Sequence, residues 1–154
     1  MGRVAAAIGL GMAVALSGAA AADKPGKTSQ ASMQKMLDIV APAGDRLGPA
    51  RYGELAAGAV ATISFEGDRT HQFTFNAVCD DDCADLNLAA LDAAGVELDV
   101  DDADDSAPVL EVQADVNGAD EDDKPEPRPM TIEVRMISCK AATCAYGLVI
   151  TRTD

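Results

Sequence analysis

The stretch from Ala59 to Val78, AVATISFEGDRTHQFTFNAV, decides the fold class. Apolar and polar residues alternate on both sides of an acidic, glycine-containing segment at 66–68, and Phe73 and Phe75 share one face of the second half. Alternation with a period of two is typical of half-buried β-strands. The stretch therefore predicts two strands, over 59–65 and 70–78, joined as a hairpin by a turn at 66–68.

Further strand signals follow at intervals of roughly ten residues. Leu86–Leu91 and Val96–Val100 flank a four-residue turn in which Gly95 can take the positive φ that closes a hairpin. Shorter or later strands are expected at 108–114, 130–138 and 145–152, and the acidic, proline-rich segment 117–129 is expected to be a solvated loop. This spacing predicts an all-β fold, an antiparallel sandwich or barrel.

One amphipathic helix is predicted ahead of the strands, over 29–41. Met33, Met36, Leu37 and Val40 follow the helical spacing i, i+3, i+4 and i+7, and Pro42 ends the run. The apolar stripe either packs on the protein's own domain or docks on a partner. A linker containing glycine and proline is expected over 45–54.

The first residues have the pattern of a secretory signal peptide. Arg3 precedes an apolar core over 4–16, and Ala20-Ala21-Ala22 offers small residues for cleavage after Ala22. The alternative is an uncleaved membrane anchor, because the apolar run 4–22 has about the length of a spanning helix. Its alanine and glycine content favours the leader. We therefore expect a periplasmic or secreted protein without stable membrane insertion after cleavage, divided into 1–22 (signal peptide), 23–52 (polar start, short helix and linker) and 53–154 (β-sandwich domain).

The charge balance excludes several classes of partner. The chain has 12 basic and 26 acidic residues, a formal charge of −14, and loss of Arg3 with the leader leaves 11 minus 26, or −15. A polyanion gains no counterion release on phosphate backbones, so nucleic acid is excluded, and anionic lipid surfaces repel it. An ion or protein partner remains open, as does the simpler explanation that the charge serves solubility.

Four cysteines, Cys79, Cys83, Cys139 and Cys144, are expected to form two disulfides in an oxidising compartment. Four cysteines allow three pairings. Cys79–Cys83 and Cys139–Cys144 are favoured, because each pair brackets a short polar or small-residue segment that has the character of a turn. Zinc binding is disfavoured, since neither pair has the spacing common in zinc sites.

From Gly53 onward the sequence resembles the bacterial pre-peptidase C-terminal type of domain. The likeness is carried by Gly53-Glu54-Leu55, the Cys79–Leu88 string CDDDCADLNL, the Leu91–Gly95 turn and the Cys139–Gly147 hairpin. Asn87 departs from the Asp-Leu-Asp-Leu pattern of that family. The resemblance implies a jelly-roll-like antiparallel β-sandwich with a non-catalytic role, assisting folding or binding a matrix or partner, and calcium binding as in some members.

A calcium-binding site is the most specific site hypothesis that the residues allow. Hard cations need several oxygen ligands, and acidic clusters lie at 80–85 and 99–105, around the same predicted hairpin. Asp80, Asp82, Asp85 and Asp102 are the predicted calcium ligands. The alternative is solvated charge that maintains solubility and guards sheet edges, and Asp85 can also cap backbone N–H groups where a strand begins.

No enzymatic pattern emerges, and we predict neither catalytic nor cofactor-binding residues. His71 is the sole histidine and lies in strand alternation with two phenylalanines. Hydrolase, zinc-protease and phosphate-loop motifs are absent from the sequence, and a glycosidase cleft is disfavoured by two tyrosines and no tryptophan. The sequence therefore favours a non-catalytic exported module with a binding or accessory role. The alternative is a structural or stress-protective envelope protein without a specific small ligand.

Overall fold

A computed structural model describes residues 27–41, 46–114 and 127–153. The predicted signal peptide and most of the predicted acidic loop lie outside these ranges. The described elements are α1 (Lys27–Val40), β1 (Arg51–Leu55), β2 (Val60–Asp68), β3 (Gln72–Cys79), β4 (Cys83–Asp92), β5 (Glu97–Asp101), β6 (Val109–Val112), β7 (Pro127–Cys139) and β8 (Cys144–Thr153).

The strands form two antiparallel four-stranded sheets. The first sheet has the order β1-β8-β3-β6, and the second has the order β2-β7-β4-β5. Most connections cross from one sheet to the other, and the eight strands follow the order of a jelly roll. The predicted jelly-roll-like antiparallel β-sandwich is therefore confirmed.

The core lies between the sheets and depends on aliphatic residues and a small aromatic cluster. Phe65 of the second sheet contacts Phe73 and Phe75 of the first, edge to face, at centroid distances of 5.1 and 5.4 Å. Leu88 and Ile132 are fully buried around them. Burial of these side chains is the main favourable contribution to folding.

The first predicted hairpin is wrong in its pairing, although both of its strands exist. β2 runs through the predicted turn to Asp68 and pairs with β7, whereas β3 pairs with β6 and β8 in the other sheet. The chain turns at 69–71 instead, where the Asp68 carboxylate accepts the backbone N–H groups of Thr70 and His71. Alternation specifies the face that a strand buries but not its neighbour, and here the two buried faces meet across the core.

The second predicted hairpin is confirmed. β4 pairs with β5 through a turn in which Gly95 has a φ of 80°. The Asp92 carboxylate accepts the N–H groups of Ala94 and Val96, at 2.8 Å each. The short strand expected after this hairpin is β6.

Two segments predicted to be irregular are partly strands. Arg51–Leu55 forms β1 along β8, so the sandwich begins inside the predicted linker. β7 begins at Pro127, inside the predicted solvated loop, where Pro127 and Pro129 face Asp68 and Glu66 of β2 without backbone hydrogen bonds to them. Their missing N–H groups are on the side of β4, which ends opposite Met130. No ladder bond is lost, which is why proline is tolerated here.

α1 packs on the outer face of the first sheet, so its apolar stripe docks on the protein's own domain. Met33 and Leu37 are fully buried in a second cluster with Val78 and Val149. Arg46 ties the end of the helix back by donating to the Ala41 carbonyl at 2.7 Å. Among the described residues, no helix has the length and apolar character needed to cross a bilayer.

Candidate functional site

Both disulfides lie where the chain crosses between the sheets. Cys79–Cys83 closes the β3–β4 turn and Cys139–Cys144 closes the β7–β8 turn, with Cα–Cα distances of 5.9 and 5.8 Å. The pairing favoured from the sequence is therefore confirmed. Each bridge fixes a tight turn that joins the first sheet to the second.

The two disulfide-closed turns are bonded to each other. The Asp80 N–H donates to the Ala145 carbonyl at 3.0 Å, and the Ala145 N–H donates to Asp80 Oδ2 at 2.8 Å. The Lys140 N–H donates to the Asp82 carbonyl at 2.8 Å. The turn over 80–82 is thus held on three sides, by its disulfide, by β8 and by the neighbouring turn.

A cleft separates this turn from the beginning of α1. It has a volume of about 360 Å³, and we call it the acidic cleft; its lining residues are Ser29, Ser32, Met36, Asp80, Asp81 and Asp82. Two of the lining residues, Ser29 and Asp80, each have one side-chain oxygen, Oγ and Oδ1, that is buried without a hydrogen-bond partner. Buried polar atoms nearly always have a partner, so a polar ligand or ion that reached these two oxygens would be stabilised by them.

The four predicted calcium ligands do not all line one cavity. Asp80 and Asp82 line the acidic cleft, whereas Asp85 and Asp102 do not. Within the described residues, no group of three or more acidic, histidine or cysteine side chains is arranged to hold a metal ion. A cation in the acidic cleft would therefore depend on hydroxyl and water oxygens as well as carboxylates.

Asp85 belongs to a second acidic group. Burial raises its pKa, and the nearby charges of Asp104 and Asp105 raise it further. The backbone there is tightly held, because the Leu86 N–H donates to the Asp105 carbonyl at 2.8 Å. Like charges beside a half-buried carboxylate disfavour its ionised form.

Two carboxylates of the 99–105 cluster accept backbone hydrogen bonds from an edge strand. The sequence predicted this role only in general terms, as acidic charge that guards sheet edges. Asp99 Oδ2 accepts the Glu111 N–H at 3.1 Å, and Asp101 Oδ2 accepts the Val109 N–H at 2.7 Å. Both donors are on β6, the edge strand of the first sheet, and both acceptors are on β5, the edge of the second. These carboxylates therefore close one side of the sandwich. The sequence signal for this role is the i, i+2 spacing of Asp99 and Asp101, which places both side chains on one face of a strand.

His71 orders a turn. Its Nδ1 lies 2.7 Å from Asp68 Oδ1 and 2.8 Å from Oδ2. Burial raises the pKa of Asp68, but hydrogen bonds from the side chains and backbones of Thr70 and His71 outweigh it and lower the pKa to about 2. His71 therefore stabilises the β2–β3 corner through its contacts with Asp68.

Comparison with known proteins gives no family assignment. The chain matches no protein-family model, and no curated protein matches it significantly. Function must therefore be argued from the site itself.

Proposed function

We propose that this protein is an exported, non-catalytic binding or accessory module whose ligand site is the acidic cleft. The observation that carries the proposal is that two residues lining one cavity, Ser29 and Asp80, each have a buried oxygen, Oγ and Oδ1, without a hydrogen-bond partner. They come from α1 and from the β3–β4 turn, which docking of α1 brings together. A ligand that satisfies both would bind only the folded domain.

A hard cation is the ligand class that fits these atoms. Carboxylate, hydroxyl and water oxygens suit calcium, and the exposed residues Asp81 and Asp82 line the same cleft. Because few protein ligands are available, we expect weak binding, in the range of about 10⁻⁴ to 10⁻³ M that extracellular calcium modules show. Such a site would be filled outside the cell and empty in a calcium-poor compartment.

Export and an accessory role have separate support. The leader pattern and two disulfides suit an oxidising compartment. The resemblance to the pre-peptidase C-terminal type of domain, which implies a jelly-roll-like sandwich, suggests a module that assists or attaches to a partner rather than a catalyst.

The second candidate is a structural or stress-protective envelope protein without a small ligand. It is favoured by the internal use of acidic groups, since Asp99 and Asp101 accept backbone N–H groups of β6. In this alternative the remaining surface charge serves solubility.

A thermal melt of the oxidised protein lacking residues 1–22 distinguishes the binding module from the structural envelope protein. The protein is chelated, and calcium or magnesium is added back at matched ionic strength. Binding at about 100 times the dissociation constant should add about 2.7 kcal/mol to the free energy of unfolding, which raises the melting temperature by several degrees. A calcium-selective rise supports the module, and no rise beyond the magnesium control favours the structural alternative.

Variants locate the ion. Asp80→Asn and Ser29→Ala should abolish the rise, because each removes a ligand from the acidic cleft. Asp102→Asn, which makes the same charge change outside the cleft, should keep it. A rise that survives Asp80→Asn but is lost in Asp85→Asn would place the ion at the second acidic group and refute the cleft.

A further inference from the structure

The two disulfides meet across the β4–β7 ladder. Cys83 and Cys139 are directly opposite each other in its register. The Lys140 N–H donates to the Asp82 carbonyl, and the Cys83 N–H donates to the Asp80 carbonyl within its own turn. A bond between the residues that flank a facing pair identifies that pair as non-hydrogen-bonded, the antiparallel arrangement in which the Cα atoms are only about 4.5 Å apart. Cys83 and Cys139 are therefore close cross-strand neighbours, although each is bonded to a different cysteine.

This placement suits a disulfide between the two strands. Bridged cysteines have Cα atoms about 4.4 to 6.8 Å apart, a range that includes the non-hydrogen-bonded pair. A Cys83–Cys139 bridge would join residues 56 positions apart, 139 minus 83, whereas the existing bridges span 4 and 5. Closing so long a loop costs entropy in a flexible chain. In the folded protein the β4–β7 ladder already holds the two ends together, so this obstacle is removed.

The four cysteines differ in their exposure to an external thiol. Cys139 is half-buried. The other three are buried, with exposed fractions of 4% for Cys79, 6% for Cys83 and 0% for Cys144. Disulfide exchange requires access to the sulfur that is attacked. An external thiolate therefore reaches the Cys139–Cys144 bridge first, at Cys139 Sγ.

We propose that the two bridges form one thiol–disulfide exchange site, whose reactant is a dithiol and whose alternative bridge is Cys83–Cys139. The first thiolate of the dithiol attacks Cys139 Sγ, and Cys144 leaves as a thiolate. The second thiolate attacks the dithiol's own sulfur in the mixed disulfide, which oxidises the dithiol and releases Cys139. The Cys139 thiolate then attacks Cys83 Sγ, so the Cys83–Cys139 bond forms and Cys79 leaves. The two protons lost by the dithiol are taken up by Cys144 and Cys79.

The exchange would open the turn that lines the acidic cleft. Cys79–Cys83 closes the turn over 80–82, and without this bridge the turn is held by its hydrogen bonds alone. A looser turn positions Asp80 less firmly, so a ligand in the cleft should bind more weakly. This consequence rests on the proposed function, whereas the exchange itself depends only on the cysteines.

Double cysteine variants test the alternative bridge directly. Cys79→Ser with Cys144→Ser leaves Cys83 and Cys139, which mild oxidation should join within one chain, as peptide mapping by mass spectrometry would show. Cys79→Ser with Cys139→Ser is the matched control, because Cys144 faces Leu55 of the first sheet and should form no bridge with Cys83. Thermal melts check that both variants fold. A folded variant in which Cys83 and Cys139 stay reduced overturns the proposal.

The unsubstituted protein gives a second measurement that does not depend on a variant. The oxidised protein lacking residues 1–22 is treated with an equimolar amount of dithiothreitol, quenched with acid and alkylated, and its bridges are mapped. We expect Cys83–Cys139 as the new bridge, with Cys79 and Cys144 alkylated. Its yield should fall about 10-fold or more in guanidinium chloride, because the unfolded chain must close the long loop unaided. Reduction that leaves Cys79–Cys83 intact, or an equal yield in denaturant, overturns the proposal.

The calcium melts separate the exchange from the proposed function. The variant that retains only Cys83 and Cys139 should lose most of any calcium-dependent rise seen in the parent. A parent without such a rise counts against the acidic cleft alone, because peptide mapping detects the bridges whether or not an ion binds.

Discussion

Replacing Leu37 with alanine tests the docking of α1, on which the acidic cleft depends. Leu37 is 0% exposed and packs in the cluster with Met33, Val78 and Val149. The substitution removes three buried carbons at about 0.8 kcal/mol each, or about 2.4 kcal/mol. A cavity that the surroundings only partly refill increases the cost, so we expect a loss of about 3 kcal/mol in the free energy of unfolding. Thermal melts should show a decrease of roughly 10 °C.

Ile39→Ala is the matched control, because Ile39 lies on the same helix and is 82% exposed. Its effect should stay within about 0.5 kcal/mol. Leu37→Ala should also lose any calcium-dependent rise in melting temperature, since α1 contributes Ser29 and Ser32 to the cleft. If the two variants melted at the same temperature, α1 would not be docked in solution, and the proposed ligand site between α1 and the 80–82 turn would be refuted.

Three further predictions concern the rest of the sandwich. Asp101→Ala removes the acceptor of the exposed Val109 N–H and should cost about 0.5–1.5 kcal/mol in urea unfolding; an unchanged free energy of unfolding would contradict the edge-closing role. Gly53→Ala would place a Cβ 2.6 Å from the buried Tyr146 ring and should cost about 1–3 kcal/mol, so an unchanged melt would rule out that close contact. The raised pKa of Asp85 means that its protonated form favours folding and that stability falls as pH rises through this pKa. Asp85→Asn should remove that fall, and an unchanged pH slope in urea titrations would contradict it.

Local sequence patterns were sufficient to predict nearly all of the secondary-structure elements and the pairing of the cysteines. Alternation, turn signals and strand spacing together placed every described strand except β1, and the i, i+3, i+4, i+7 spacing placed α1. The cysteine pairing followed because Cys79–Cys83 and Cys139–Cys144 each enclose a turn of three or four residues. These features depend on contacts close in the chain, where residue type and spacing limit the geometry. The calcium ligand set stays a prediction, and only Asp80 and Asp82 line the cleft proposed here.

The choice of neighbours required the tertiary structure. Backbone hydrogen bonds are alike for every strand, so the sequence around 66–68 could not show that β2 pairs with β7 rather than β3. In the same way, nothing local links Ser29 to Asp80, which share a cleft only because α1 packs on the first sheet. The sequence determined which faces are buried, which segments are helix or strand and which turns are bridged. Long-range packing decided which strands are adjacent and where the acidic side chains find partners, because these depend on residues that are distant in the chain and meet only in the folded core.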